Sequence, residues 1–289
     1  MIDFSKCIIR KKAYGGANGN KICIVYNNQI YMLKLPTHSL KNINLSYSNS
    51  AISEHIGCFV FKTLNIDSQE TILGKYNFHG NDRIVVACKD FVGDNEQLLD
   101  FASVKNQIID STSNGYGTEL SDILETIEKQ NVIEKHILME RFWEMFIVDA
   151  LIGNWDRHNG NWGFIYNSKN DSVKLAPVFD CGSSFFPQID QDTIDKVLSN
   201  KKEQMLRVYS FPTSAILQNG GRINYYEFLS KHQYKECDDA LRKIALQIDL
   251  QKIYDFINSI DVLCEKHKAF LCLMIELRYK CILLKNIIN

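Results

Sequence analysis

Short runs of alternating apolar and polar residues, together with short apolar runs, dominate the first ninety positions of the chain. These patterns predict β-strands, and they cover residues 6–12, 21–26, 29–35, 69–75 and 83–89. A stretch with helical spacing, residues 50–64, lies between the third and fourth predicted strands. Residues 37–49 are polar and rich in Ser and Asn, which predicts a loop. This part of the chain is therefore predicted to be a β-rich unit with one helix.

After Phe91 the pattern changes to helical spacing. Predicted helices cover residues 120–127, 135–152, 192–198, 225–230, 236–248 and about 261 to the end, and the part after residue 186 is predicted to be all helical. Two short strands are predicted at residues 162–166 and 173–178. The predicted fold class is α+β and bilobal, with a small β-rich lobe at residues 1–91 and a larger, mostly helical lobe at residues 92–289. A cleft between two such lobes is a natural ligand site.

The composition narrows the classes of protein to consider. The 289 residues carry a formal net charge of -1, without the basic excess that wrapping a nucleic acid requires, so no nucleic-acid partner is expected. Nine cysteines without a CxxC spacing indicate reduced thiols rather than a disulfide framework. The chain has no run of about 20 apolar residues, so no membrane span is expected. We expect a monomer.

The densest group of polar residues is the segment Gly-Asn-Trp-Asp-Arg-His-Asn-Gly-Asn-Trp-Gly at residues 153–163, directly after a strongly apolar predicted helix. Asp156, His158 and Asn161 lie in it. Polar residues at this density between a helix and a strand are typical of a site on a loop. The alternative is a solvated or glycosylated Asn/Gly turn.

A second segment, Leu-Ala-Pro-Val-Phe-Asp-Cys-Gly-Ser at residues 175–183, places Asp180 where an apolar strand meets a glycine turn. Asn161 and Asp180 offer the oxygen ligands that Mg²⁺ prefers, and Asp156 could accept a proton from an attacking hydroxyl. Phosphoryl transfer needs such metal ligands and such a base. His158 could be a catalytic base, a metal ligand or a group that braces the loop. An Asp/His metallohydrolase using Asp156, His158 and Asp180 stays open as an alternative.

Phosphoryl transfer also needs positive charge that neutralises the phosphate oxygens. The candidate for this charge lies in the β-rich lobe. Lys34 lies late in a half-buried predicted strand, where a lysine is costly unless it is paired. Glu54, early in the next predicted helix, is a plausible partner, although Lys34 could also be a solvated edge residue. A glycine-rich turn before this strand could direct backbone N–H groups at phosphates, or it could be a plain hairpin turn. Its residues are Gly15, Gly16, Ala17, Asn18, Gly19 and Asn20.

In this order, the segments resemble the catalytic core of the HipA-like serine/threonine protein kinases, distant relatives of the phosphoinositide-kinase-like group, and above all a compact bacterial type of that family. The resemblance implies ATP and Mg²⁺ as cofactors and Ser or Thr hydroxyls of proteins, including the kinase itself, as acceptors. It makes Asp156 the base, Asn161 and Asp180 the metal ligands, and Lys34 with Glu54 the phosphate-binding pair. It assigns adenine contacts to the backbone of Ala87 and Lys89, and a ribose contact to Asp90.

Two other functions fit the same core. One is a nucleotide-binding pseudokinase that serves as an effector scaffold, and the other is a kinase acting on a small molecule or a lipid. The N-terminal residues lack the apolar stretch of a secretory signal. The resemblance therefore implies a protein of the bacterial cytoplasm, or an effector exported without a classical signal peptide.

Overall fold

The computed structural model describes residues 1–15, 21–35, 49–78, 80–109 and 112–287. A six-stranded sheet in the order β1-β5-β6-β4-β3-β2 forms the first part of the molecule. Its strand β1 pairs parallel with β5, and the other pairs are antiparallel. The strands are β1 (Ile2–Asp3), β2 (Ile8–Arg10), β3 (Lys21–Tyr26), β4 (Gln29–Lys34), β5 (Thr71–Phe78) and β6 (Asn81–Lys89).

The turn between β3 and β4 sets the register of this sheet. Asn27 and Asn28 both have positive φ, +47° and +60°, which is the geometry of a two-residue hairpin turn whose twist matches the strands. The register brings Lys21 opposite Lys34 at the far end of the hairpin. Two lysines therefore lie side by side at one end of the sheet.

Helix α1 (Ser50–Thr63) packs on this sheet but also belongs to the core of the second part. Ala51 packs with Val86 and Cys88 of β6. Ile56 and Phe61, both fully buried, belong instead to the large core built mainly by the later helices. The two parts of the molecule therefore share α1 as a common element.

The second part is mostly helical. Its helices are α2 (Phe101–Ile108), α3 (Leu120–Lys129), α4 (Lys135–Ile152), α5 (Gln191–Ser199), α6 (Lys201–Tyr209), α7 (Tyr225–Leu229), α8 (Lys235–Gln247), α9 (Leu250–Asn258) and α10 (Glu265–Arg278). A π-helical turn, Tyr279–Leu283, and a 3-10 turn, Leu284–Asn286, follow α10. Side chains of Asp100, Asp190 and Asp249 cap the starts of α2, α5 and α9, which satisfies backbone N–H groups that lack partners inside a helix.

Two small sheets complete this part. Strands β7 (Glu96–Asp100), β8 (Gly163–Asn167) and β9 (Ser172–Leu175) form a three-stranded antiparallel sheet. Strands β10 (Leu217–Gln218) and β11 (Gly221–Arg222) form a hairpin. The prediction that everything after residue 186 is helical is wrong at this hairpin. Helices α6 and α9 lie in the region predicted to be helical but were not predicted as separate helices, and α2 and β7 were missed.

The predicted α+β fold class is confirmed, and β3 and α4 have the predicted limits. The predicted boundary at 91/92 falls between β6 and β7 and stays a prediction. Most of the predicted loop at 37–49 and of the glycine-rich turn lies outside the described residues. No helix in the described parts of the chain has both the length and the apolar character needed to cross a membrane.

Candidate active site

The polar loop at residues 154–161 begins where α4 ends. Gly153 closes the helix in the left-handed conformation, with φ at +67°, which a glycine adopts at little cost. The backbone N–H of Asn154 donates to the carbonyl of Asp149 at 3.0 Å, and its Nδ2 donates to the Asp149 carboxylate at 2.9 Å. The hydroxyl of Tyr225 donates to the Asn154 carbonyl at 2.6 Å. The start of the loop is thus fixed to two helices.

Arg157 connects this loop to the neighbouring segment. It is 4% exposed, and its Nε and Nη2 donate to the two carboxylate oxygens of Asp149 at 3.0 and 3.3 Å. Its Nη1 donates to the carbonyl of Asn161 at 3.0 Å and to the carbonyl of Phe179, while Nη2 contacts Sγ of Cys181 at 3.5 Å. One guanidinium therefore sets the spacing between the two segments that carry the predicted acidic residues. Arg157 was not predicted to have a role in the site.

Asp156 and Asn161 are linked through the backbone of the loop. The carbonyl of Asp156 accepts from Nδ2 of Asn161 at 2.8 Å. Because Nδ2 is used as a donor, Oδ1 is the atom through which Asn161 could bind a cation. Burial raises the pKa of the Asp156 carboxyl, and the nearby carboxylate of Asp180 adds to the rise. A carboxylate with a raised pKa is a better proton acceptor than an ordinary one.

His158 braces the turn in the loop. Its Nδ1 accepts from the backbone N–H of Gly160 at 3.1 Å, and its own backbone N–H donates to the carbonyl of Asp156 at 2.9 Å. Its ring meets the ring of Tyr116 edge-on at 6.4 Å. Of the roles considered for His158, these contacts match the bracing group.

Two more side chains tie the loop to segments distant in sequence. Nδ2 of Asn159, which is 1% exposed, donates to the carbonyls of Gly115 and Gly117 at 2.9 and 2.8 Å. From the other side, Nη2 of the exposed Arg222 donates to the carbonyl of Trp155 at 2.7 Å. Arg222 could not be found from the sequence, because the hairpin that carries it was predicted to be helical.

Asp180 enters the site on a strained backbone. Its φ is +60°, a conformation that Asp tolerates better than most residues. The next residue, Cys181, donates its backbone N–H to Oε1 of Glu54 at 3.1 Å. A Cβ on Gly57 of α1 would lie 2.6 Å from Cβ of Cys181, so glycine is needed for α1 to approach this segment so closely.

Lys34 meets this segment from the β-rich part of the molecule. Its Nζ lies 2.9 Å from Oε2 of Glu54 and 2.8 Å from Oδ1 of Asp180. Burial disfavours the ammonium form, but the two carboxylates outweigh burial and raise the pKa of Lys34 above its usual range. Burial likewise opposes ionisation of Asp180, but Lys34 outweighs it and lowers the pKa of Asp180 to about 2. The structure thus brings Lys34, Glu54 and Asp180 together as a charged cluster.

Lys21 is a further cation at this cluster. It lies opposite Lys34 in the β3–β4 register, its Nζ donates to the carbonyl of Gly15 at 2.8 Å, and its charge helps to lower the pKa of Asp180. Burial lowers the pKa of Lys21 itself. Lys21 was not predicted as a site residue, although the Asn-Asn turn and strand alternation indicate its position opposite Lys34.

The backbone groups predicted to contact adenine are occupied within the sheet. Ala87 is fully buried in β6, with β4 and β5 as neighbours on either side. The N–H of Lys89 donates to the carbonyl of Glu70 at 2.8 Å, and its carbonyl accepts from Nε2 of Gln69 at 3.0 Å. A nucleotide could accept from the N–H of Lys89 only in place of the Glu70 carbonyl, whereas the Lys89 carbonyl has a second lone pair that could accept a further hydrogen bond.

The carboxylate predicted to reach the ribose is also occupied. Asp90 Oδ2 accepts from Nζ of Lys12 at 2.5 Å and from the hydroxyl of Tyr14 at 2.9 Å, and Oδ1 accepts from the N–H of Val92 at 3.1 Å. The side chain of Asp90 is 6% exposed. Gly15, the first residue of the predicted glycine turn, follows Tyr14 directly. The other predicted turn residues, Gly16, Ala17, Asn18, Gly19 and Asn20, lie outside the described residues.

The oxygen donors of Asn161 and Asp180 are of the kind that could hold a magnesium ion. Mg²⁺ keeps several waters and is usually held by one or two carboxylates together with substrate phosphates. Asn161 and Asp180 supply oxygen donors of this kind from adjacent segments, and Lys34 and Lys21 supply positive charge beside them. Across the parts of the chain that the structure describes, no group of three or more His, Cys, Asp or Glu side chains could hold a metal ion.

Comparison with known proteins gives consistent results. A family profile described as the HipA-like C-terminal domain matches residues 14–257. The serine/threonine-protein kinase CtkA of Helicobacter pylori strain J99 is 44% identical over 279 residues, which cover 96% of this chain and 85% of that protein. The crystal structure of a Helicobacter pylori proinflammatory kinase CtkA matches with a TM-score of 0.90 and 43% identity, over 98% of this chain and 95% of that one. A chain from the Shewanella oneidensis MR-1 complex of the toxin–antitoxin system HipA, HipB and operator DNA has a TM-score of 0.56 at 12% identity, over 94% of this chain and 66% of that one, which is a likeness of fold alone.

Proposed function

The chain belongs to the family of HipA-like C-terminal domains, and from this premise we propose that it transfers the γ-phosphoryl group of ATP, with Mg²⁺, to Ser and Thr hydroxyls of proteins. The enzyme class, a serine/threonine protein kinase, follows from 44% identity to a curated kinase of that class over 96% of the chain. The nucleotide, the metal ion, the acceptor and the role of each residue are the content of the proposal.

The observation that carries the proposal is the meeting of Lys34 with Glu54 and Asp180. A lysine from the β-rich part lies 2.8 Å from a carboxylate of the helical part, and a buried glutamate lies 2.9 Å from the same ammonium. Kinase catalysis depends on a lysine–glutamate pair and a metal-binding aspartate that are in place together. A structural ion pair alone would not require the other polar groups gathered next to it.

Each residue then has a role in the transfer. Lys34 would neutralise phosphate oxygens, with Glu54 holding it in position, and Asn161 and Asp180 would hold Mg²⁺. When bound, Mg²⁺ would supply further neutralisation of phosphate charge. Asp156 would accept a hydrogen bond from the acceptor hydroxyl, orient it and take its proton. Phosphate oxygens would compete with Asp180 for Lys34, so that Asp180 becomes available to the cation.

The test is transfer of labelled phosphate from ATP to a library of Ser/Thr peptides by Asp156→Asn and Asp180→Asn. Loss of a general base costs on the order of 10²- to 10⁴-fold in rate, and we expect Asp156→Asn to fall in this range while its circular dichroism stays that of the parent. Asp171→Asn, an exposed aspartate on the β8–β9 turn, is the matched control and should keep full activity. Transfer at the parental rate by both site variants would refute the mechanism.

The same assay separates the other candidate functions. A pseudokinase would bind Mg-ATP in a thermal-shift titration without transferring phosphate, and a small-molecule or lipid kinase would label sugars or phosphoinositides but not peptides. Mass spectrometry after incubation with Mg-ATP would show whether the protein phosphorylates itself. The Asp/His metallohydrolase alternative has little support, because His158 braces the loop and the described residues contain no metal cluster of the required kind.

A further inference from the structure

Helix α1 presents two faces to two different segments of the helical part. Glu54 and Cys58 lie one turn apart on the face that meets the segment after Asp180. His55 and Phe59, also one turn apart, lie on a neighbouring face, because adjacent residues of a helix are separated by about 100°. A rotation of α1 about its axis would therefore move both faces at once.

The second face is held by α9, a helix of the same helical part. The ring of Phe59 stacks on the ring of Phe256 in α9, with centroids 3.6 Å apart and the planes 4° from parallel. The ring of His55 lies 5.1 Å from the same phenylalanine. Since His55 Nδ1 also lies 2.8 Å from the hydroxyl oxygen of Thr71 in β5, α1 is fixed between α9 and the sheet.

Helix α9 is itself packed into the large core. Ile253 and Ile257 are fully buried in the large core, and α9 packs against α10. Phe256, next to Ile257 in sequence, projects from α9 onto α1. The Phe59–Phe256 contact thus transmits the rigidity of the helical core to the helix that carries Glu54.

We propose that Phe256 is a positioning residue for phosphoryl transfer, which fixes the rotation of α1 by stacking on Phe59 and so keeps Glu54 against Lys34. The inference rests on the proposed kinase function and adds a residue that the transfer mechanism does not itself contain. Phe256 makes ring contacts with His55 and Phe59, and neither of these residues is assigned to the nucleotide, the metal ion or the acceptor. Its effect passes through α1 and Glu54 to Lys34.

A double-mutant cycle separates this role from a general loss of stability. The variants are Phe256→Ala, Glu54→Gln and the pair, assayed for kcat and KM for ATP with the peptide library. Coupling between residues that act through one another predicts that Phe256→Ala lowers kcat/KM about tenfold in the parent but less than about twofold in the Glu54→Gln background. Phe256→Leu, which keeps apolar packing, should recover most of the loss.

Hydrogen exchange of the α1 amides, read by mass spectrometry, supplies a second readout that does not need activity. Phe256→Ala should speed exchange within Ser50–Thr63, whereas Tyr234→Ala should not. Tyr234 is a comparable half-buried aromatic residue that stacks on Phe228 at 5.8 Å, away from α1. Melting temperatures of both variants show how much stability each has lost.

The two readouts also keep this inference distinct from the proposed function. A parent protein that transfers no phosphate would refute the function, and the α1 exchange would then decide the positioning role alone. Unchanged α1 exchange in Phe256→Ala would overturn the inference, as would an equal loss of kcat/KM in the parent and in the Glu54→Gln background.

Discussion

Asp156 and Lys34 are proposed to serve the same phosphoryl transfer, yet the molecule holds them in different ways. The loop that carries Asp156 is braced by buried hydrogen bonds from Asn154, Arg157 and Asn159 to groups of the helical part itself, and these include the buried ion pair of Arg157 with Asp149. Lys34 stands at the end of a strand and is held by charge, from Glu54 and Asp180.

The loop that carries Asp156 and the cluster around Lys34 therefore have different roles, and they are called here the braced side and the Lys34 side. Backbone hydrogen bonds and a fully engaged guanidinium fix the loop whether or not a ligand is present. The Lys34 side is held by ion pairs whose partners phosphate and Mg²⁺ could replace, so this side can exchange its contacts when the ligands bind. Several polar residues of the loop therefore hold its conformation and take no part in the proposed reaction.

Replacement of Arg157 should do the most damage, because it removes the centre of the braced side. Arg157→Met leaves the buried carboxylate of Asp149 unpaired, and breaking a buried pair in this way costs about 3 to 5 kcal/mol. We expect a loss of this size in the free energy of unfolding in urea, together with loss of phosphate transfer. Lys174→Met is the control, since Lys174 is 63% exposed where it pairs with Glu96, and such pairs contribute up to about 1 kcal/mol. Equal losses in the two variants would contradict the idea that the loop depends on buried braces.

Replacement of Glu54 should have a smaller effect, and on activity rather than on stability. Glu54→Gln keeps an acceptor for the N–H of Cys181 but removes the charge that holds Lys34. A hydrogen bond to a charged group is worth about 1.5 to 3 kcal/mol, so kcat/KM should fall roughly 10- to 100-fold. Urea unfolding should shift by less than half of the Arg157→Met loss. If Glu54→Gln destabilised the fold as strongly as Arg157→Met, the two sides would not differ in the way described here.

The parts of the fold that local patterns determine were predictable from the sequence. The limits of β3 and α4 were predicted correctly, because the Asn27-Asn28 turn and Gly153 are local signals that end these elements. The β10–β11 hairpin was missed although Asn219-Gly220, with φ of +55° and +77°, is itself a local hairpin signal. The Glu119 carboxylate accepts from the N–H groups of Asn219 and Gly220 at 2.6 and 3.1 Å, and two-residue strands give no periodic signal of their own.

The candidate site likewise contains residues that could be assigned from the sequence and residues that could not. Lys34 and Glu54 could be paired from the sequence because a lysine on a half-buried strand needs a partner and an acidic residue begins the next helix. Arg157 and Asn159 could not be assigned as braces, because their partners come from α4 and from the segment before α3. Phe256 gave no signal at all, since its contact with Phe59 joins helices that are far apart in the chain.

The smallest predicted effect concerns pH at the contact between α1 and α9. Burial lowers the pKa of His55 from 6.5 to about 4, so the folded protein keeps this ring neutral while the unfolded chain takes up a proton below about pH 6.5. The stability contributed by the neutral ring is therefore complete above pH 6.5 and is lost as the pH falls towards 4. Between pH 7 and pH 5 the loss should be roughly 1 to 2 kcal/mol, since each unit of pKa difference corresponds to about 1.4 kcal/mol.

Many carboxylates also begin to titrate near this range, so the quantity to measure is the difference in urea unfolding between the parent and His55→Gln at each pH. His136→Gln, at a ring that is 77% exposed, should follow the parent, whereas His55→Gln should lose less stability on acidification. Because His55 lies beside Phe256 and Phe59, acidification of the parent should also lower the protection factors of the α1 amides, corrected for the slower intrinsic exchange in acid, before those of the loop at residues 154–161 fall. Simultaneous exchange in both segments would show that the Lys34 side and the braced side open as one unit, and the contrast between them would then be confined to their chemistry.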